Sequence, residues 1–201
     1  MTSSNRNHSP SVPLSRAFYE RSPEVVARDL LGKLFVHRRQ HERLIGRIIE
    51  IEAYLGELDA ASHAYKGKSP YSAVLFGPAG YTDVFLSYGL HYCVNFSCLP
   101  DGQPGGVLVR AVQPVSGLAT MARNRGLPES SPVRLLTGGP GKLCQAFGIT
   151  REEDHNIDVT LQSSHIQVLD DGSHPGEIVA TPRIGITKAA ELPLRFLIRD
   201  M

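Results

Sequence analysis

Residues 46 to 54 read GRIIEIEAY, a run of β-branched side chains that predicts a strand. Side chains two apart on a strand share a face, which sets Glu50, Glu52 and Tyr54 together and Ile49, Ile51 and Ala53 opposite. A solvated outer face would accept two carboxylates and a phenol, and so would the wall of a cleft. KLFVHRR precedes this run across the polar QHE and predicts a hairpin. Further upstream, SPEVVARDLLGK predicts a short helix with Ser22 as N-cap, Pro23 at the first helical position and Gly32 just past the end. Downstream, GYTDVFLSYGLHYCVNFS and GGVLVRAVQ predict one strand each, the second entered through the turn PDGQPG. VSGLATMARNRG alternates at helical spacing, TGGPGKLCQAFGI reads as a glycine-rich turn opening a helix, and HIQVLDDGS, PRIGIT and PLRFLIRD predict late strands. Helix, then strands, helices and strands again is the order of an α+β domain.

Composition narrows the picture. With 201 residues, 41% of them hydrophobic, the chain can bury most of its apolar surface in one core. The 14 prolines and 19 glycines favour many short elements over a helical bundle. No apolar run approaches the roughly 20 residues that span a bilayer, and the opening MTSSNRNHSPSVPLS has no apolar signal segment, so a soluble protein in the cytoplasm is expected. The Ser-, Asn- and Pro-rich residues 1–15 read as a disordered tail. Three cysteines, Cys93, Cys98 and Cys144, are too few and odd in number for a disulfide framework, and suit a reducing compartment. HYCVNFSC lacks the paired spacing of a zinc site, and strand geometry puts His91 and Cys93 on one face and Cys98 on the other.

A net charge of +1 does not advertise a polyanion partner. Charge is nonetheless segregated: between Val115 and Gln145, Arg123, Arg125, Arg134 and Lys142 face the lone carboxylate of Glu129. This is a solvated basic face or a phosphate-binding one. The turn GGPGKL, with Lys142 in the first helical turn, suits a phosphate oxygen at free helix amides, although it lacks the spacing of a nucleotide P-loop. Aromatic residues crowd the stretch from Tyr54 to Tyr92, including Tyr65, Tyr71, Tyr81, Phe85 and Tyr88, beside His63 and His91. So dense a cluster is a core with satisfied hydroxyls or a lined cleft, and carboxylates beside aromatic walls suit a planar, electron-poor ligand.

The strings GRIIEIEAYLG, ASHAYKG, FGPAGY, SYGLHYCVNFS, VLVRAVQP, GGPGKLCQAFGI, PRIGI and LPLRF together resemble, in order and spacing from about residue 16 to the end, the alkyladenine (3-methyladenine or methylpurine) DNA glycosylases. The expected organisation is thus a single compact glycosylase domain over 16–201, with a curved, mainly antiparallel β-sheet flanked by short helices. The resemblance implies a monofunctional enzyme of base excision repair, a monomer that acts on double-stranded DNA carrying damaged purines and needs neither metal nor cofactor. The damaged nucleotide would be flipped out of the duplex, because its glycosidic bond is out of reach within the stack. Substrates would be 3-methyladenine and 7-methylguanine, with hypoxanthine and ethenoadenine as further candidates.

Residue by residue, the resemblance makes Glu52 the general base that activates a water, with Arg110 and the backbone carbonyl of Ile184 holding that water. Tyr54, His63 and Phe85 would stack on the extruded base. Ala61 and His63 would read its edge through backbone groups, and Asn95 would exclude the amino group of normal guanine. Tyr88 would wedge into the minor groove, while Lys142, Arg123 and Arg125 would meet phosphates. Without a lysine nucleophile, Lys142 is a phosphate contact only. The chain departs from its relatives at Tyr71 and Ser72, where an Arg-Asn pair is common, at Asp83 and Phe85, where tyrosines are common, and at Leu75, where methionine is common. Two other classes remain open: a lesion-recognising DNA-binding protein without catalysis, and a metal-dependent hydrolase using His91 and Cys93.

Overall fold

The computed structural model describes residues 12–39 and 42–199. Two helices, α1 (Arg16–Tyr19) and α2 (Pro23–Leu30), lead into the hairpin β1 (Leu34–Arg39) and β2 (Glu42–Tyr54). The hairpin β3 (Thr82–Ser87) and β4 (His91–Ser97) follows, then β5 (Gly106–Ser116). Helices α3 (Leu118–Arg125), α4 (Val133–Leu136), α5 (Pro140–Phe147) and α6 (Arg151–Asp154) precede the short strands β6 (Ile166–Leu169), β7 (Ile178–Thr181) and β8 (Arg195–Ile198). The expected α+β domain with a curved antiparallel sheet and short helices is what the chain forms.

Every strand pairing is antiparallel, in the order β3-β4-β5-β2-β1-β6, with β8 also on β2 and β7 on β8. The curl originates in β2. Its first half pairs β1 on one edge, and its second half pairs β8 on that same edge, while β5 runs along the other. Ladder irregularities against β5 lie between Ile48 and Glu50 and between Glu50 and Ile51, leaving Ile49 and Arg110 unpaired. A bulge residue switches which side chains face inward. Leu44, Gly46 and Ile48 are buried before it, and Ile51 and Ala53 after it. Glu50, Glu52 and Tyr54 are thereby turned together away from the main core.

That core is built from Leu30, Phe35, Ile48, Ile51, Phe96, Val109, Phe147 and Phe196, with the Phe35 ring 5.2 Å from Phe147 and 6.1 Å from Phe96. Helix α2 starts where expected: the Ser22 side chain accepts from the Val25 N–H, and Gly32 takes φ +83° after the end. Helix α5 starts at Pro140 and packs close to β4, where a Cβ on Gly141 would sit 2.8 Å from the His91 Cβ.

Three expectations need revising. GYTDVFLSYGLHYCVNFS is a hairpin rather than one strand, because Tyr88 and Gly89 adopt φ of +51° and +67° and reverse the chain. PRIGIT is irregular: Pro182 has no N–H, and the Ile184 N–H goes to a side chain instead of a ladder. The strand near it is Ile178–Thr181, a half-exposed edge pairing β8, which carries no alternation to read. Of the tail expected over 1–15, residues 1–11 lie outside the described residues. Pro13 bridges Leu169 and the Leu14 N–H donates to the Val168 carbonyl at 2.9 Å, so the described chain joins the sheet ahead of residue 16.

Candidate active site

Tyr54 lines a cavity of about 460 Å³, while Glu52, on the same face of β2, is buried beside Tyr54 and does not itself line it. That volume lies within the range of roughly 300–1,000 Å³ usual for small-molecule sites. Tyr54, His63, Tyr71 and Phe85 supply aromatic walls, Ala61, Asn95, Arg110 and Ile184 line it further, and Tyr88 stands at its mouth. His63 meets Phe85 edge-on at 4.5 Å between ring centroids and Tyr71 at 5.0 Å, and desolvation by these walls pushes the His63 imidazole pKa down. Tyr71 therefore extends the aromatic wall. Ser72 is buried and bonds within its own loop, to Ser69 and the Gly67 carbonyl.

Glu52 is fully buried, accepts two hydrogen bonds and pairs with one cation. The Tyr54 hydroxyl donates to Oε2 at 2.8 Å, the Ile184 N–H to Oε1 at 2.8 Å, and the Arg110 guanidinium lies 3.2 Å from Oε1. Ile184 thus reaches Glu52 through its amide N–H. Burial and the Glu52 charge together push the Tyr54 phenol pKa well above its ordinary value, so Tyr54 is a hydrogen-bond donor to the carboxylate across the working pH range. Glu50, assigned no role from sequence, accepts from Arg110 Nε and Arg195 Nε, both at 2.7 Å. An alternating chain Arg195–Glu50–Arg110–Glu52 results, which holds the Arg110 guanidinium beside Glu52.

A second ion pair, absent from the sequence reading, locks the loop after β2. Asp59 and Arg183 are both buried, and Arg183 Nη2 donates to Asp59 Oδ1 at 2.9 Å. Arg183 also donates to the Ala53 carbonyl at 3.0 Å and lies 4.7 Å over the Tyr54 ring. Asp59 accepts from the Leu55 and Ala61 N–H groups, so the Ala61 amide proton is engaged internally. Burial alone would raise the Asp59 pKa, but hydrogen bonds from Arg183 and these amides hold it below the carboxylate range.

Asn95 donates through Nδ2 to Asp83 Oδ2 at 3.0 Å, while its own Oδ1 and Asp83 Oδ1 are buried without partners. Tyr88 is 81% exposed and strained at positive φ, and its hydroxyl donates to the Gly185 carbonyl at 2.7 Å. Leu86 and Leu90, exposed on either side of Tyr88, make the hairpin tip an apolar wedge that sequence periodicity did not single out.

Of the basic patch, Arg125 and Lys142 line a groove with His91, Gly139 and Gly141, and this groove shares Ser87, Tyr88, Cys93 and Pro140 with the cavity. Arg123 does not line it; it donates to Thr120 at 2.9 Å and faces Glu42 at 3.8 Å. His91 is exposed at the start of β4, Cys93 borders the cavity with its thiol pKa pushed up to about 11 by burial, and Cys98 is sealed in the core. These three do not converge as metal ligands would. Among the described residues no helix is long and apolar enough to cross a membrane.

Aromatic walls thus stand beside a buried, hydrogen-bonded carboxylate, in a cavity that opens next to a cationic groove. The sequence matches the Methylpurine-DNA glycosylase family over residues 17–201, and the chain belongs to that family. It is 50% identical over 186 residues to a protein of Koribacter versatilis, covering 92% of this chain and 89% of that one. It is 46% identical over 190 residues to one of Methanoculleus marisnigri (92% and 95%) and 45% identical over 184 residues to one of Nitrobacter winogradskyi (92% and 83%). Each of the three is named "Putative 3-methyladenine DNA glycosylase".

Proposed function

We propose that this protein is a monofunctional DNA glycosylase that flips alkylated purines, 3-methyladenine and 7-methylguanine foremost, out of duplex DNA and hydrolyses their N-glycosidic bond. The observation that carries this reading is Glu52, fully buried beside an aromatic cavity and held by Tyr54, Arg110 and Ile184. Tyr54, His63 and Phe85 stack on the extruded base, and electron-rich rings favour a purine made cationic by alkylation. As the C1′–N bond breaks, its electron pair leaves with the base and neutralises that positive charge. Glu52 takes a proton from the water that attacks C1′, with Arg110 and the Ile184 carbonyl holding the water in line. Tyr88, with Leu86 and Leu90 beside it, fills the space the base vacates, and Ala61, His63 and Asn95 meet the base edge, Asn95 excluding the guanine amino group. Arg125 and Lys142 contact phosphates of the flanking strand, Arg123 more distantly.

The test uses duplexes with one defined lesion, EDTA throughout, and chromatography of released bases. Glu52→Gln retains lesion-duplex binding and loses about 10²- to 10⁴-fold in base release, the range for loss of a general base. Glu50→Gln, which keeps one acceptor for the two arginines, loses about tenfold or less. Near wild-type release by Glu52→Gln would overturn the mechanism, and release that stops in EDTA would favour a metal-dependent hydrolase.

A further inference from the structure

We propose that His37, Asp154 and His165, none of which lines the cavity, form a zinc-class divalent metal site. The three residues come from separate segments: His37 from β1, Asp154 from the end of α6, and His165 from the residue before β6. Both imidazoles converge on one oxygen. His37 Nε2 lies 3.2 Å and His165 Nε2 3.0 Å from Asp154 Oδ1.

Proton bookkeeping makes this convergence informative. His37 Nδ1 lies 2.9 Å from the Phe147 carbonyl, which can only accept, so Nδ1 carries the proton. With a neutral ring in that tautomer, the Nε2 lone pair points at a carboxylate oxygen, and two buried acceptors face each other unless a metal cation or a second ring proton lies between them. Asp154 Oδ2 is already occupied by the Thr150 N–H at 2.8 Å, which leaves Oδ1 as the donor atom. An imidazole whose far nitrogen is fixed by a carbonyl is the usual outer-sphere arrangement of a metal-bound histidine.

Donor chemistry and spacing agree with zinc. Two imidazole nitrogens and one carboxylate are a three-ligand zinc set, and bond lengths of about 2.0–2.2 Å in a tetrahedron separate ligand atoms by roughly 3.3 Å. The observed 3.0 and 3.2 Å lie within a few tenths of an ångström of that spacing, and the ligand atoms all lie within 4.8 Å of one another. His37 and Asp154 are 1% exposed, whereas the His165 side chain is 39% exposed, giving an ion a route in and a water-side fourth position. The site would act as a brace. The Asp154 carbonyl accepts from Thr82 Oγ1 at 2.6 Å at the root of β3, so an ion there ties β1 and the segment entering β6 to the strand that carries Asp83 and Phe85.

A proton on His37 would satisfy the same geometry, and the experiment separates the two. The full chain is stripped with chelator and titrated with Co²⁺ and, separately, Zn²⁺. Stoichiometric binding should give a visible Co²⁺ d–d band, and Zn²⁺ at about 100-fold over Kd should raise Tm by roughly 5–10 °C. His165→Ala, at the surface edge of the cluster, should abolish both effects yet keep base release. Absence of the band and of the Tm shift in the wild type would leave only the proton and overturn the proposal. A band that survives His165→Ala would put the ion elsewhere and overturn it equally.

Discussion

At the scale of single residues, the pair Asp83 and Asn95 explains how the site is aimed. A carboxylate only accepts while ionised, so the Asn95 amide must turn Nδ2 toward Asp83, leaving Oδ1 unpaired in the cavity wall. Asp83 lacks a second partner, because the His155 Nδ1 at 3.7 Å is already the acceptor for the Val84 N–H. Burial raises the Asp83 pKa, and the Asn95 hydrogen bond and the Arg151 charge only partly offset it. For an acid with a raised folded-state pKa, the stability contribution is complete below the unfolded pKa and is lost as pH rises through the folded one. Asp83→Asn does not titrate, so its Tm relative to wild type should be higher at about pH 7 than at about pH 4. Parallel pH profiles of Tm would show that Asp83 is not the strained group. Nothing in the sequence announces this coupling beyond the departure from tyrosine at Asp83, since the two residues meet only once β3 and β4 form a hairpin.

Among elements, β2 was the most legible and still the most altered. Alternation put Glu50, Glu52 and Tyr54 on one face correctly, yet it could not show that Ile49 is a bulge residue, because adjacent buried isoleucines read equally well as an uninterrupted strand. The resemblance named the residues that the cavity gathers, while the supports around them were hidden by distance. Asp59 and Arg183 are 124 positions apart, and each lies in a stretch whose local pattern says only loop. PRIGIT fails as a strand because Arg183 and the Ile184 N–H are spent on Asp59 and Glu52 and not on a ladder. Removing one partner from a buried ion pair leaves the other charge uncompensated, at a cost of about 3–5 kcal/mol. Asp59→Asn should therefore lower stability by that amount in urea, and lower base release further because Tyr54, Ala61 and Ile184 all adjoin the clamp. A loss below about 1 kcal/mol, the level of an exposed pair, would mean the clamp is solvated in solution.

Across the whole molecule, a net charge of +1 provides almost no long-range attraction to DNA, so electrostatic affinity has to come from where the charges lie. Sequence grouped Arg123, Arg125 and Lys142 in one patch; folding separates them. Arg125 and Lys142 border the groove beside Tyr88, where a strand flanking a flipped base would run, and Arg123 turns toward Glu42. Each phosphate neutralised by a cation releases counterions and adds about 0.9 to the slope of log affinity against log salt on duplex DNA. Arg125→Gln and Lys142→Gln should each lower that slope by about 0.9 whatever the flanking sequence, whereas Arg123→Gln should change it far less. Binding measured from about 50 to 200 mM salt reads all three. An unchanged slope in Arg125→Gln and Lys142→Gln would return the groove to a solvated basic face, and an equal drop in Arg123→Gln would mean that the DNA path is set by helix α3 and not by the groove beside the hairpin.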